Sequence, residues 1–445
     1  MGYLLRNCDF VLTWVNDELR ILNNVDIAID DGLIVNIGTI NGGGFERIDC
    51  SGHVAMPGLV NAHTHTPMSL LRGFYDDAEL MTWLGRMWSV ERELPRDIIT
   101  LSSELSIIEM IMNGTTAFID MYLYPDATAD VVLKYGLRAA LGPTFIDTLV
   151  NPTLVENELR NFMSKYGYSQ LIKPIINVHS IYAVSKGTLL RIKELSNELN
   201  LPMQIHVSET RDEVYEVRKR YGMFPVEYLN SLGLVSNKSH LVHLGWVTNW
   251  ELSIIARANA RVVHAPTSNM KLATAGHFPM RELMDAGVIV TLGTDGPASN
   301  NSLDMFREMK MAVLLQRHSY WDVSIKAMHA FKAATLNGYR LLGIRGGCIS
   351  NGCVADLVLL DLSSPRLQPI RNDNVLSNIV YSADGSDVDM VIVNGKVIYD
   401  KSRDYWALKE RARSIGERLN DFIKKFFMTY KAWLMEMGHL VSGLQ

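Results

Sequence analysis

The sequence predicts an α/β protein: a (β/α)8 TIM barrel, a small discontinuous β-sandwich domain drawn from both chain ends, and a C-terminal helix. Three observations predict it. Eight short β-rich runs alternate with helical stretches through the middle of the 445-residue chain. Histidines and carboxylates gather at the last positions of those runs, where a barrel of this kind collects its active site. Hairpin patterns with the same turn chemistry stand near both ends.

The first 57 residues alternate in strand fashion. VDIAID (25–30) and LIVNIG (33–38) flank Asp31-Gly32, a pair that supplies the positive φ of a two-residue turn. Near the far end, VADLVLLDL (354–362) is followed by MVIV (390–393), Asn394-Gly395 and KVIY (396–399), the same device again. Neither segment is long enough to be stable alone, so 1–57 and 351–402 are expected to pair into one sandwich. The barrel is expected over 58–350. Its runs are HVAMPGLVNAH (53–63), TTAFIDMY (115–122), RAALGPTFI (138–146), IKPIINVH (172–179), PMQIHVSE (202–209), HLVHLG (240–245), RVVHAP (261–266) and VIVTLGTD (288–295). In 403–445, Leu419, Phe422, Ile423, Phe426, Tyr430, Trp433 and Leu434 recur at helical spacing with charges of both signs between them, predicting a helix packed back onto the barrel.

Composition narrows the partners. Lys and Arg total 43 against 48 Asp and Glu, a net charge of −5, whereas a nucleic-acid or anionic-membrane binder shows a basic face. The start, MGYLLRNCDFVLTWVND, lacks a signal-peptide pattern, and no apolar run reaches 18 residues. A cytoplasmic protein acting on a small molecule is expected, without nucleic-acid or membrane partners and assembled as a homo-oligomer. Cys8, Cys50, Cys348 and Cys353 are too sparse for a disulfide framework. They read as reduced thiols, with Cys348 and Cys353 structural rather than metal-binding.

The chemistry-bearing residues are ordered along the runs: His63 and His65 end the first, His179 the fourth, His206 and Glu209 the fifth, His243 the sixth and Asp295 the eighth. Residues two apart on a strand point to one side, so His63 and His65 can reach one ion together. His206 and Asp295 can complete a mononuclear site of three nitrogens and one carboxylate oxygen with a position left for water. The remaining histidines, His53, His240, His264, His277, His318, His329 and His439, read as structural or surface residues.

These residues carry a resemblance. Met56-Pro57-Gly58-Leu59-Val60-Asn61-Ala62-His63-Thr64-His65 resembles the first-strand signature of the amidohydrolase superfamily. His206-Val207-Ser208-Glu209, Val242-His243, His264-Ala265-Pro266-Thr267-Ser268-Asn269 and Gly293-Thr294-Asp295-Gly296-Pro297-Ala298-Ser299-Asn300-Asn301 resemble the remaining signatures of one branch. That branch contains the methylthioadenosine/S-adenosylhomocysteine deaminases and the triazine hydrolases, and the likeness covers about residues 1–400.

The resemblance implies one divalent metal per subunit, zinc or alternatively Fe2+, held by His63, His65, His206 and Asp295. Binuclear relatives carry a lysine at the end of the fourth strand; here His179 stands in that place and Lys173 lies at the strand's beginning. The implied chemistry is hydrolytic deamination: a metal-acidified water whose proton passes to Asp295, His243 aiming that water, and Glu209 protonating the ring nitrogen beside the attacked carbon. Trp83 and Glu91 match the residues with which adenosine-type deaminases contact the nucleoside, and His179 matches a contact on the purine or ribose side. Relatives that accept S-adenosylhomocysteine place an Arg shortly after the third strand, where this chain reads Leu141-Gly142-Pro143-Thr144. The expected substrates are therefore 5′-methylthioadenosine, 5′-deoxyadenosine and adenosine, with S-adenosylhomocysteine left open. The alternatives are an aminohydrolase or chlorohydrolase of another heteroaromatic ring, such as guanine, a pterin or an s-triazine, and, more distantly, a non-catalytic binding protein on this scaffold.

Overall fold

Strands covered on both faces must be apolar at nearly every position, and the central runs of this chain are. In the computed structural model, which describes residues 2–41, 43–274 and 276–436, eight such strands follow one another. They are β1 (Leu59–Thr64), β2 (Thr115–Asp120), β3 (Arg138–Leu141), β4 (Ile176–Ser180), β5 (Met203–Val207), β6 (Ser239–His243), β7 (Arg261–His264) and β8 (Val290–Leu292). All pairings between them are parallel. At one end of the order, Asp295 N donates to His63 O at 3.0 Å, while Asn61 and Thr294 exchange two hydrogen bonds, so β8 returns to β1. Alternate positions face two interiors. Val60, Ala62, Ala117, Ile119, Val242 and Val263 pack on one another, whereas Phe118, Val178, Ile205, Leu241 and Val262 pack against helices.

Three of the expected runs are broken. The first is two strands: His53–Pro57 belongs to the sheet of the chain ends, and β1 starts only after Gly58. A Cβ on Gly58 would lie 2.1 Å from Thr116 Oγ1, so only glycine lets the chain pass from one sheet to the other there. The third run splits into β3 and Thr144–Phe145, and the fourth into Ile172–Pro174 and β4. Pro143 and Pro174 have no N–H to continue the ladder. Hydrogen bonding accordingly divides the strands into one set of four and one of six.

The two chain ends do join, through His53–Pro57 running antiparallel to Leu357–Asp361. Their ladder is one mixed eight-stranded sheet rather than two separate ones. The two expected turns are present, with positive φ at Asp31 and Gly32 and again at Asn394 and Gly395.

The expectation of four free thiols is corrected. Cys348 and Cys353 form a disulfide, while Cys8 and Cys50 are free and buried. A spacing of five does not reveal the cause, which is the loop doubling back: Cys353 N donates to Ser350 O, and Ile349 is tied to Thr13 through both its N–H and its carbonyl.

Helices α1 (Leu80–Glu91) and α2 (Arg96–Met112) lie between β1 and β2, α3 (Arg211–Tyr221) follows β5, and α4 (Lys401–Glu436) ends the described chain. Ile415 and Leu419 of α4 are buried in the cluster that holds Leu80, Trp83 and Met87 of α1, with Phe422, Ile423 and Phe426 packed against it. Arg411 clamps α4 to Glu104 of α2. The side chains of Tyr430, Trp433 and Leu434, and the expected helix end near residue 440 with His439, lie outside the described residues. Among the described residues no helix is long and apolar enough to cross a membrane.

Candidate metal and catalytic site

His63 lies on β1 and is fully buried, with its Nδ1 2.8 Å from Gln204 Oε1. The Gln204 amide donates its N–H to Ala62 O, so its oxygen must accept from His63 Nδ1–H. His63 Nε2 is left with a lone pair. His65, one residue past the end of β1, gives its Nδ1–H to Met121 O at 2.6 Å and likewise turns Nε2 inward. His206 on β5 brings its Nε2 to 3.0 Å from His63 Nε2. Asp295, just beyond β8, puts Oδ1 at 3.0 Å from His65 Nε2 and 3.3 Å from His63 Nε2. Its Oδ2 accepts from Ser268 at 2.5 Å and Ser299 at 2.8 Å. A Cβ on Gly293 would sit 2.7 Å from His63 N, so glycine is what allows β8 to approach β1 closely enough for Asp295 to reach the histidines.

Three imidazole nitrogens and a carboxylate oxygen therefore converge, and His63, His65 and Asp295 each have the outer atom committed to another group, the usual setting of a metal-binding side chain. Burial acts to lower His65, but the Asp295 carboxylate outweighs it and raises the ring to about 9. For Asp295, burial acts upward and is outweighed by the hydrogen bonds from His63 and His65, leaving it well below the usual carboxylate range. This donor set fits a borderline cation such as zinc.

One departure from the expected ligand set concerns His243. Its donor atom lies with those of His63, His206 and Asp295, all within 4.8 Å of one another, whereas His65 falls outside that group of four and approaches it with Nε2 3.0 Å from Asp295 Oδ1. His243 Nδ1 is 2.8 Å from Asn269 Oδ1, and Nε2 is 3.7 Å from Glu209 Oε1. It thus stands between the metal-binding group and Glu209. Its backbone has φ of 79°, and Asp295 (61°) and Ser208 (53°) share that left-handed region, where non-glycine residues carry strain.

Glu209 is 6% exposed. Burial, with the nearby Asp295 charge, pushes its carboxyl up to about 8, so it holds a proton at neutral pH. Glu213 on α3 accepts from the backbone N–H of both Ser208 and Glu209, fixing the turn that presents Glu209. Every candidate site residue from the sequence except the fully buried His63 lines one cavity. Trp83 and Glu91 come from α1, and the His179 ring packs edge-on to Trp88, Tyr182 and His206. Lys173 is elsewhere, its Nζ donating to Leu342 O.

Several functional side chains escaped the sequence reasoning. Gln204 sits two residues before His206 and so shares its face of β5, a periodicity that could have found it. Ser268, Asn269 and Ser299 fall within motifs already noticed, but their roles depend on where the loops close. Tyr122 and Tyr182 line the cavity with no signal beyond lying just after a strand end. His264 is buried, its ring stacked on Phe278 at 4.1 Å.

Comparison with known proteins places this geometry. Residues 54–398 match the sequence profile of the amidohydrolase family. A 5-methylthioadenosine/S-adenosylhomocysteine deaminase of Pyrococcus furiosus is 41% identical over 390 residues, covering 86% of this chain and 92% of the relative. A 5′-deoxyadenosine deaminase of Methanothermobacter thermautotrophicus is 42% identical over 381 residues, 84% of this chain and 88% of the relative. Among solved structures, an adenosine deaminase from Xanthomonas campestris with bound zinc superposes with a TM-score of 0.88 at 33% identity, over 94% of this chain and 99% of that one. The profile spans most of the sequence and the relatives are alike over most of their own length: this chain belongs to the amidohydrolase family.

Proposed function

We propose that this protein is a metal-dependent hydrolytic deaminase that converts adenosine-type nucleosides to the inosine analogue and ammonia. The observation that carries it is Glu209, a buried carboxyl protonated at neutral pH, standing beside His243 and the His–Asp cluster in the cavity that Trp83 and Glu91 also line. Strand order and the two apolar interiors support reading 58–350 as a (β/α)8 barrel. A shared core of Leu5, Val11, Ile27, Ala355 and Leu357 supports one small β domain from 1–57 and 351–402, its single ladder enclosing an interior as a sandwich does, with 403–445 as the helical extension. The names of the relatives at 41% and 42% identity agree with the activity.

His63, His65, His206 and Asp295 would hold a single divalent cation, zinc by preference and Fe2+ as the alternative, which would supply the Lewis acidity that makes a water acidic enough to attack at neutral pH. Asp295 takes a proton from the attacking water. His243, its Nδ1 engaged by Asn269, directs Nε2 at that water and orients it towards the ring carbon bearing the amino group. Glu209 gives its proton to the adjacent ring nitrogen as that carbon becomes tetrahedral, which offsets the loss of aromaticity. The proton on Asp295 passes to the amine, the C–N bond breaks as the new hydroxyl returns its proton to Glu209, and ammonia leaves the lactam product.

The 5′ side of the cavity sets the substrate. Leu80, Leu84, Met87, Leu123, Ile146 and Leu149 line it, and no Lys or Arg is among its described lining residues. Thr144, from the stretch in which the resemblance would place an arginine, is among the lining residues. A methylthio, deoxy or hydroxymethyl group suits these walls, and the homocysteine carboxylate does not. The test is ammonia release by the zinc-loaded protein over adenosine, 5′-methylthioadenosine, 5′-deoxyadenosine, S-adenosylhomocysteine, guanine and an s-triazine. Preference for the neutral nucleosides supports the reading, preference for S-adenosylhomocysteine removes the charge argument, and turnover of guanine or triazine alone overturns the nucleoside assignment.

A further inference from the structure

Glu91 closes α1 and Tyr122 follows β2, and the two meet at the wall of the same cavity that His65 lines. Both are buried, at 8% and 7% exposure. The Tyr122 hydroxyl meets no partner at hydrogen-bonding geometry. It lies beside Glu91, and burial, the Glu91 charge and a loose hydrogen-bonding contact with that carboxylate raise the phenol well above its ordinary value. Its backbone is held rigidly, with its carbonyl accepting from Thr144 Oγ1 at 2.9 Å and a bridge to Pro143. Buried polar groups in folded proteins are nearly always paired, so an unpaired donor on a cavity wall calls for a partner from the ligand.

Resting on the nucleoside reading above, we propose that Tyr122 is a specificity-determining residue that grips the vicinal hydroxyls of the ribose together with Glu91. The chemistry is complementary. A carboxylate oxygen accepts, so Glu91 accepts hydrogen bonds from the diol hydroxyls, while the phenol O–H donates to a hydroxyl oxygen that Glu91 cannot serve. A diol offers both functions at once, and a sugar lacking one hydroxyl offers only part of the pair. Tyr122 therefore adds a second point of recognition to the Glu91 contact and makes the site read the number of hydroxyls, not merely the presence of a sugar.

The experiment measures kcat/KM of wild type and Tyr122→Phe with adenosine, 2′-deoxyadenosine and 3′-deoxyadenosine, together with zinc content and the Tm of the ligand-free proteins. On adenosine, Y122F is expected to lose about tenfold, the scale of one hydrogen bond. On the analogue missing the hydroxyl that Tyr122 meets, the loss shrinks to within about twofold, because enzyme and substrate changes remove the same contact. Zinc content is unchanged, and Tm stays level or rises because the variant buries one unpaired donor fewer. An equal loss on all three substrates, no loss on adenosine, or a Tm lowered by several degrees overturns the proposal. Failure of the wild type to deaminate any nucleoside, with turnover of guanine or a triazine, is a separate result that removes the functional reading and this inference with it.

Discussion

Replacing Glu209 by Gln tests the chemistry most directly. With its carboxyl raised to about 8, Glu209 is protonated about ten to one at pH 7, whereas at the ordinary value of 4.5 the protonated fraction would be roughly 1 in 300. Burial, with Asp295 beside it, thus increases the available acid by a factor on the order of 10² to 10³. Gln keeps the shape and a hydrogen-bond donor but has no proton to transfer. Loss of a general acid costs about 10²- to 10⁴-fold in rate, or roughly 3–5 kcal/mol of barrier. The expected outcome is a kcat on 5′-methylthioadenosine reduced by that factor with metal content and Tm unchanged, because Glu209 is not among the converging donor atoms. The wild-type rate should fall as pH rises through about 8, where Glu209 loses its proton, with a bound cation drawing that limb to lower pH. The variant's residual rate should not show that limb. Turnover by E209Q within about tenfold of wild type at equal metal content would refute the assignment of the acid, and so would loss of the metal.

Further expectations follow from the surrounding contacts. His206→Ala removes a donor atom from the cluster and should lose both metal, by elemental analysis, and activity, whereas E209Q loses activity alone. Gln204→Leu leaves every ligand in place but frees His63 Nδ1, and should weaken metal affinity about 10- to 100-fold in a chelator competition. Burial acts to raise Glu104, but Arg411, Lys134 and Tyr135 outweigh it and hold it at about 2, below its unfolded value of about 4.5. Its contribution is therefore present above pH 4.5 and lost as pH falls through about 2. That contribution is about 3 kcal/mol at face value, and about 1–2 after allowing for water around the Arg411 and Lys134 side chains. Arg411→Ala should accordingly lower stability in urea by about 1–2 kcal/mol at pH 7, with the difference shrinking towards pH 2.

How far the sequence can be read is clearest at individual residues. His63 and His65 were legible because the two-residue period of a strand places both on one side, and Asp295 because it ends the last apolar run. Pro57-Gly58 was legible as a motif, yet its mechanical role as the crossing between two sheets was not, since that depends on Thr116 lying against Gly58. The disulfide of Cys348 and Cys353 was missed because spacing says nothing of a loop bent back by its bonds to Thr13.

The sequence by itself determined the strand and helix pattern, the hairpin turns and the residue types able to bind a metal and move protons, because these follow from local periodicity and from side-chain chemistry. Tertiary structure decided which of them meet. The closing of β8 on β1 brings Asp295 to within 3.3 Å of both His63 and His65, although they are separated by more than half the chain. Burial of Glu209 turns an ordinary carboxylate into an acid holding its proton to about pH 8. Both depend on distance and dielectric in three dimensions, which no spacing along the chain records.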